Sequence, residues 1–213
     1  MNINFEKISA NEAYFAMVQT IVPRPIAWVL TQNTNDTYNI APYSFFTGIC
    51  SDPPLLMISA GKKPSGKEKG HNKDTRQNIM DGKYFVIHIA SSNQLELLNN
   101  SAATLDYGQS EILENNIEMT DFNIDETNQF KLPRVKDCPI AIACQLYRLD
   151  EIGNTPQAVI YGEIKGMYIN DEVIHLENKE RLVLNNKKID PLSKMGGPFY
   201  GTLGDELSII RPK

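Results

Sequence analysis

Two stretches of this sequence hold residues whose types and spacing could do chemistry. Residues 39–54 read N-I-A-P-Y-S-F-F-T-G-I-C-S-D-P-P, with Tyr43, Phe45 and Phe46 set among Ser44 and Thr47. A donor-rich backbone beside flat apolar groups suits a planar heteroaromatic ligand with polar edges. The same pattern also describes a strand pair whose aromatics fill a core. Residues 61–76 read G-K-K-P-S-G-K-E-K-G-H-N-K-D-T-R, five lysines and one arginine against Glu68 and Asp74, a local balance of about +4 in a chain of net charge −5. Asp74-Thr-Arg-Gln77 has the form of a capping box, which predicts a helix from Asp74 to about Met80. A basic loop feeding a helix N-terminus favours an anion, because free N–H groups and the helix dipole point at it. Lys62, Lys63 and Lys73 could add charge-assisted bonds there. A solvated lysine-rich surface loop is the alternative.

Other chemistries find little support. His71, His88 and His175 share no ligand spacing. His88 reads as a strand residue with a satisfied ring, and His71, in the basic loop, is the histidine kept as a site candidate. Asp121 and Asp125 read as solvated surface. Cys50, Cys138 and Cys144 form no C-x-x-C pair and read as small buried apolar groups. There is no G-x-S-x-G elbow and no G-x-x-x-x-G-K-[ST] loop, and the late glycines of G-G-P-F-Y-G-T-L-G do not match G-x-G-x-x-G. An aromatic strand near an anion-friendly loop, with no evident acid, base or nucleophile, suits a phosphorylated aromatic cofactor that carries the chemistry itself.

The elements that must position these residues follow from periodicity. Ser9-Ala-Asn-Glu12 is a capping box, and Tyr14, Met17, Val18 and Ile21 repeat at helical spacing, giving a short amphipathic helix over 10–19. Pro23 and Pro25 end it. Strands are expected over 26–31, 38–50 (interrupted at Pro42 and Gly48, as at an edge or a bulge), 55–60, 84–90, 138–149 and 157–169, the last two forming a hairpin around a turn at 153–156. A helix with Asn93 as cap and Leu95, Leu98 and Ala102 on one face is expected over 93–103. Residues 104–136 are polar and weakly periodic, an excursion packed over the barrel or sheet. Residues 171–184 read as a strand or short helix, and 191–204 as a glycine-rich loop. Closely spaced strands favour a mainly β barrel or sandwich over a doubly wound sheet.

The whole chain sets outer limits. Its 213 residues suit one sizeable core, and 41% hydrophobic residues is an ordinary globular composition. An excess of 26 acids over 21 bases argues against non-specific nucleic-acid binding. Sparse cysteines fit a reducing cytoplasm. No signal peptide is evident, and no apolar run approaches membrane-spanning length.

Together, P-R-P-I-A-W-V at 23–29, N-I-A-P-Y-S-F-F at 39–46, S-D-P-P at 51–54 and K-D-T at 73–75 resemble the flavin reductase-like, FMN-binding split-barrel family, which includes flavoredoxins and the reductase components of flavin-dependent monooxygenases. K-M-G-G-P-F-Y at 194–200 is similar to that family's late motif. The resemblance implies a single domain over 1–213, a six-stranded Greek-key split barrel with short flanking helices, working as a homodimer. It implies FMN as cofactor, with Asn39, Ala41, Tyr43, Ser44 and Phe45 along the ring and ribityl chain. Ser59 and the loop ending in Lys73, Asp74 and Thr75 would hold the phosphate, and Met195, Gly196 and Gly197 would approach the ring. Leu30 stands where many members carry a small polar residue. NADH or NADPH is the implied donor, and oxygen, free flavin, a monooxygenase or another redox protein the acceptor. A flavoredoxin-type electron carrier and a non-enzymatic flavin-binding domain are the alternatives.

Overall fold

The computed structural model describes residues 1–64, 66–154, 157–178, 181–210 and 212. Its frame is one antiparallel sheet of seven strands. In chain order these are β1 (Ala27–Gln32), β2 (Tyr38–Tyr43), β3 (Phe46–Ser51), β4 (Pro54–Ala60), β5 (Tyr84–Ile89), β6 (Ile140–Ile152) and β7 (Gln157–Ile169). They lie side by side as β2-β1-β5-β6-β7-β4-β3.

That order has a consequence for shape. The two edge strands, β2 and β3, follow one another in the chain with only Ser44 and Phe45 between them. A link of two residues cannot span an open seven-stranded sheet, so the sheet must curl until its edges meet. The Ser59 N–H donates to the Phe45 carbonyl at 2.9 Å, carrying the β3–β4 ladder one pair further, up to that link. Bulges in the long β6–β7 hairpin, between Tyr161 and Gly162 and between Ile164 and Gly166, let it bend. Gly162 is required there, since a Cβ on it would lie 2.4 Å from Phe85 Cζ. The mainly β split barrel is therefore present, with seven strands where six were expected. The extra strand arises because residues 38–50 break at Ser44–Phe45 and supply both edges. Pro42 does not interrupt β2. It pairs with Trp28, on an edge strand that has no further strand needing its missing N–H. The irregularity expected at Gly48 is a register shift between Gly48 and Cys50.

Strand alternation builds two cores from one sheet. Ala27 and Val29 face the barrel interior with Ile58, Phe85, Ile87 and Ile160. Trp28 and Leu30 face outward with Ile40, Val86, Ala141 and Ala143. The second face is buried too, because residues 104–136 lie over it and contribute Ile112, Ile117, Phe122, Phe130, Leu132 and Val135. This is the excursion anticipated from the sequence. His88 is fully buried on the same face, with both ring nitrogens engaged: Nδ1 lies 3.1 Å from the Trp28 carbonyl and Nε2 accepts the Val135 N–H at 2.9 Å. Burial, ahead of all else, holds its pKa down at about 4.

The helices differ from expectation in detail. α1 (Ala10–Thr20) has the full Ser9–Glu12 capping box, but Val18 is its one buried residue. α2 (Asp74–Gly82) starts one residue earlier than a capping box at Asp74 implies. Its N-cap is Lys73, which makes no side-chain cap bond, and Asp74 is the first helical residue. The Asp74 carboxylate is instead drawn to a buried lysine, described below. The helix expected over 93–103 is α3 (Leu95–Asn100), preceded by a 3-10 turn (Ser92–Gln94) with Ser91 as its cap. Leu98 is buried there, whereas Leu95 and Ala102 are exposed. α4 (Glu111–Glu114) lies within the excursion and α5 (Asn186–Ile189) precedes the tail. Residues 171–184 form a 3-10 turn (Asp171–Val173) and a hairpin, Ile174–Asn178 with Arg181–Leu184. The tail is not all loop: Ser193–Lys194 pairs with Tyr200–Gly201 and with Arg24–Pro25. Of the turn expected at 153–156, Thr155 and Pro156 lie outside the described residues. Asp121 and Asp125 are exposed as expected. Cys138 and Cys144 are buried, but Cys50 is exposed, because it sits on the open flank of the edge strand β3. Among the described residues, no helix is long and apolar enough to cross a membrane, and no cluster of His, Cys, Asp and Glu could hold a metal ion.

Candidate functional site

The edge strand β2 forms one wall of a cleft of about 120 Å³, through Asn39, Ala41, Pro42 and Tyr43. The start of α2 supplies a second wall, with Lys73, Asp74 and Thr75. Lys63 and Pro64 of the basic loop, the 101–105 turn after α3, and Glu111 of α4 complete it. Six of the residues anticipated from the sequence therefore meet in one place. A polar network fixes their positions. Asn39 Nδ2 donates to Thr31 Oγ1 at 3.2 Å and to Thr75 Oγ1 at 2.9 Å, while Asn78 Nδ2 donates to Thr31 Oγ1 at 3.1 Å and to Asn33 Oδ1 at 2.8 Å. These bonds dock α2 on β1 and β2. The side chains of Asn39 and Thr75 thus hold the wall together, which leaves the strand backbone to meet a ligand. The Thr75 hydroxyl also shares a hydrogen bond with the Tyr43 phenol, whose pKa is pushed up by burial.

The loop lysines divide into two kinds. Lys63 is 5% exposed and lies 2.6 Å from both Glu68 and Asp74, with the Leu105 carbonyl accepting from it at 3.1 Å. Burial works to lower its pKa, but the bonds it donates to Asp74 and Glu68 prevail and raise it above the ordinary lysine value. Lys63 is therefore an internal counter-ion, contrary to its expected role as a free anion contact. Lys73 is different. Its ammonium lies 5.4 Å from the centre of the Tyr43 ring, and among the described residues no carboxylate pairs with it. Burial alone holds its pKa below the usual range. A desolvated cation at the uncapped end of a nine-residue helix is well matched to an anion.

The remaining anticipated residues fall at other points. Ser44 and Phe45 lie at the barrel seam. Ser59 lies beside Phe45 on the neighbouring strand β4, its hydroxyl donating to Gln157 Oε1 at 3.3 Å. Met195, Gly196 and Gly197 lie beside α1, where a Cβ on Gly196 would sit 1.9 Å from the Gln19 amide oxygen. His71 is exposed and opens onto a separate shallow depression with Lys62, Glu68, Asn72, Gln77 and Tyr107.

Two residues of the site escaped the sequence reading. Arg24 is 5% exposed and ties three segments together. Its guanidinium donates to the Val18 and Ile21 carbonyls at the end of α1 (2.6 and 2.7 Å), to the Met195 carbonyl of the tail (3.0 Å) and to Ser44 Oγ (3.3 Å). A charge placed between Pro23 and Pro25, next to an apolar strand, was the available signal. Glu111 is 4% exposed, and its Oε2 accepts the Ile40 N–H of β2 at 3.1 Å. Ser110 Oγ donates to the Tyr38 carbonyl, so these two side chains take the place of a neighbouring strand along that edge. Burial raises the pKa of Glu111 to about 7, with the charge of Asp74 adding to the rise and Lys63 opposing it. Nothing in E-I-L-E marks this glutamate in the sequence.

A family model described as "Flavin reductase like domain" matches residues 18–193. The uncharacterised protein YwrF of Bacillus subtilis (strain 168) is similar, at 28% identity over 97% of this chain and 97% of its own. Among solved structures, nitrilotriacetate monooxygenase component B from Bacillus cereus is similar with a TM-score of 0.85 and 25% identity, covering 98% of each chain. The 2-nitrobenzoate 2-nitroreductase NbaA of Pseudomonas fluorescens is similar with a TM-score of 0.82 and 27% identity, covering 100% of this chain and 96% of its own. With its barrel, its edge-strand cleft and most of its length inside the family model, this chain belongs to the flavin reductase like domain family.

Proposed function

We propose that the protein is an FMN-binding oxidoreductase that takes hydride from NADH or NADPH, a flavin reductase in the narrow sense. The observation that carries the reading is Lys73, a desolvated lysine with no carboxylate partner among the described residues, at the uncapped start of α2 and beside Tyr43. The donor set fits FMN. The anion end of the cleft suits a phosphate monoester, and the β2 wall offers backbone groups and an aromatic ring to a planar heterocycle. In this reading Lys73, the α2 N-terminus and Ser59 hold the phosphate side. The backbone of Asn39, Ala41, Tyr43, Ser44 and Phe45 borders the ring and ribityl chain. Met195, Gly196 and Gly197 close over it, and His71 stands at the rim. When bound, FMN supplies the hydride and electron chemistry, and the protein's part is alignment and exclusion of water.

The acceptor is free flavin, oxygen or a partner protein. Similarity to a monooxygenase component favours a partner oxygenase, and similarity to a nitroreductase adds nitroaromatic compounds to the candidates. A single domain is supported by two apolar clusters that share one sheet. A homodimer is supported by apolar side chains left exposed on α1, at its C-cap and on β3, among them Phe15 at 53%, Ile21 at 58% and Ile49 at 45%. A cytoplasmic location agrees with three unpaired cysteines.

The test is an anaerobic titration of the FMN-loaded protein with NADH and with NADPH, followed by acceptor screening. Bleaching of the flavin absorbance by either nucleotide supports the reading. Flavin binding with slow bleaching by both, but fast reduction by a redox protein, assigns an electron carrier instead. A colourless protein without affinity for FMN overturns it.

A further inference from the structure

Glu111 occupies an unusual place in the cleft. Its carboxyl is buried, and Oε2 is pinned to the Ile40 N–H of the edge strand. The charged and titratable groups facing it are Asp74 and Lys63, with Tyr43 on β2 and Lys73 lining the same space. Glu68 bears on it indirectly, through Lys63. Lys63 is already shared between two carboxylates, Glu68 and Asp74. Ionising Glu111 therefore adds a third negative charge to a group that holds one buried cation, at the wall where an anion would dock beside Lys73.

We infer that Glu111 sets the affinity of this cleft for anionic ligands through the charge state of its own carboxyl, with the neutral acid as the binding form. The inference rests on the anion-binding reading of the cleft given above. An arriving phosphate monoester meets Lys73 and the α2 N–H groups on one side and Glu111 on the other. While Glu111 keeps its proton, the cleft is attractive. When it ionises, repulsion opposes the same ligand, and binding then draws a proton from solvent onto the carboxylate. The hydrogen bond from Ile40 survives in either state, because a carboxyl oxygen accepts in both. Position and charge are thus separable at this residue, and Glu111→Gln keeps the acceptor while fixing the neutral form. The direction also agrees with burial, which favours the protonated acid up to near-neutral pH.

The experiment measures FMN binding to the full-length protein by quenching of flavin fluorescence from pH 5.5 to 8.5, for wild type and Glu111→Gln. The second ionisation of the phosphate is common to both proteins, so their difference isolates Glu111. The expected result is near-equal affinity at pH 5.5 and on the order of tenfold tighter binding by Glu111→Gln at pH 8.5. Calorimetry of the wild type in two buffers of different ionisation enthalpy provides a reading that needs no variant. At pH 8, where the phosphate is already a dianion, FMN binding should be accompanied by proton uptake, and Glu111→Gln should lose that uptake. Parallel affinity profiles, or wild-type binding without proton uptake at pH 8, overturn the role of Glu111 and leave the flavin reading intact. Absence of FMN binding by the wild type at every pH overturns both.

Discussion

Lys63 Nζ lies 2.6 Å from Asp74 Oδ1, which makes the most buried lysine of the basic loop a partner of the helix rather than of a ligand. The same nitrogen lies 2.6 Å from Glu68. Removing one partner of a buried ion pair leaves the other charge desolvated and unpaired, at a cost of about 3–5 kcal/mol. Lys63→Met should lower the stability of the free protein by roughly the lower end of that range, since Glu68 retains partial exposure. It should also weaken FMN binding, by leaving two uncompensated carboxylates beside the cleft. Chemical denaturation with and without FMN measures both effects.

Lys73 should behave in the opposite manner. It has no carboxylate partner to orphan among the described residues, and its contact is with the face of Tyr43. Lys73→Ala should change the stability of the free protein by no more than about 1–2 kcal/mol, the span of cation–π contacts from exposed to desolvated sites. Loss of a charge-assisted bond to phosphate should cost about 1.5–3 kcal/mol of FMN affinity. Riboflavin, which lacks the phosphate, provides the control: its affinity should fall far less than that of FMN. Equal losses for the two flavins would place the phosphate elsewhere.

The contrast between these lysines shows where sequence reading ends. Counting charges over residues 61–76 treats each lysine as equivalent and solvated. Which of them is buried depends on where the loop crosses the start of α2, and that is fixed by long-range packing. Strands fared better because alternation is a local property. Ala27, Trp28, Val29 and Leu30 announce a strand, although not that both of its faces are buried. The second face is covered by Phe122, Phe130 and Leu132, from a segment whose polar composition hides its few anchoring aromatics. Asn39, Tyr43 and Lys73 stood out by motif. Arg24, although inside the 23–29 motif, and Glu111 did not stand out as site residues, because the burial of a charge shows only once its partners are in place.

Arg24 offers a test of how the tail is held. Its guanidinium joins the end of α1 to Met195 and to Ser44 through four hydrogen bonds. Lysine cannot reproduce that fork, because its donors radiate from one nitrogen. Arg24→Lys should therefore destabilise the protein by about 2–3 kcal/mol, in line with hydrogen bonds to charged groups that are left partly unmade. The effect should be local as well as global. Amide exchange should rise at the C-terminal turn of α1 and over residues 193–201, while β5 and β6 keep their protection. Uniform acceleration across the barrel would argue against a local clamp.

Gly162 tests the packing of the barrel interior. The position has ordinary backbone angles, so substitution there is opposed by space alone. A methyl group would approach Phe85 Cζ to 2.4 Å and Leu56 Cδ1 to 3.3 Å, and both neighbours are buried. Overpacking of this kind costs typically about 1–3 kcal/mol. Gly162→Ala should show that loss in denaturant midpoint, and the double variant Gly162→Ala with Phe85→Leu should recover part of it by vacating the ring volume. Additive losses would mean that the strand moves instead of the ring.

Two buried groups give the stability of the protein a pH signature of opposite signs. His88 has its pKa lowered from 6.5 to about 4, first by burial, because the neutral ring is the form that accepts the Val135 N–H. The unfolded chain then binds a proton that the native state refuses, so this contribution is lost as pH falls from about 6.5 toward 4. Glu111 has its pKa raised from 4.5 to about 7, again first by burial. Here the native state holds a proton that the unfolded chain has released, so stability falls as pH rises from about 4.5 toward 7. Each term amounts to about 3 kcal/mol over its full window at 1.36 kcal/mol per pKa unit. Across the overlap the two slopes cancel. Glu111→Gln removes one of them: relative to wild type it should gain stability progressively between about pH 4.5 and 7, and hold a constant advantage above that. Urea denaturation of the ligand-free proteins at half-unit pH steps measures the difference directly, and a gap that does not change with pH would show that Glu111 titrates normally in the folded chain.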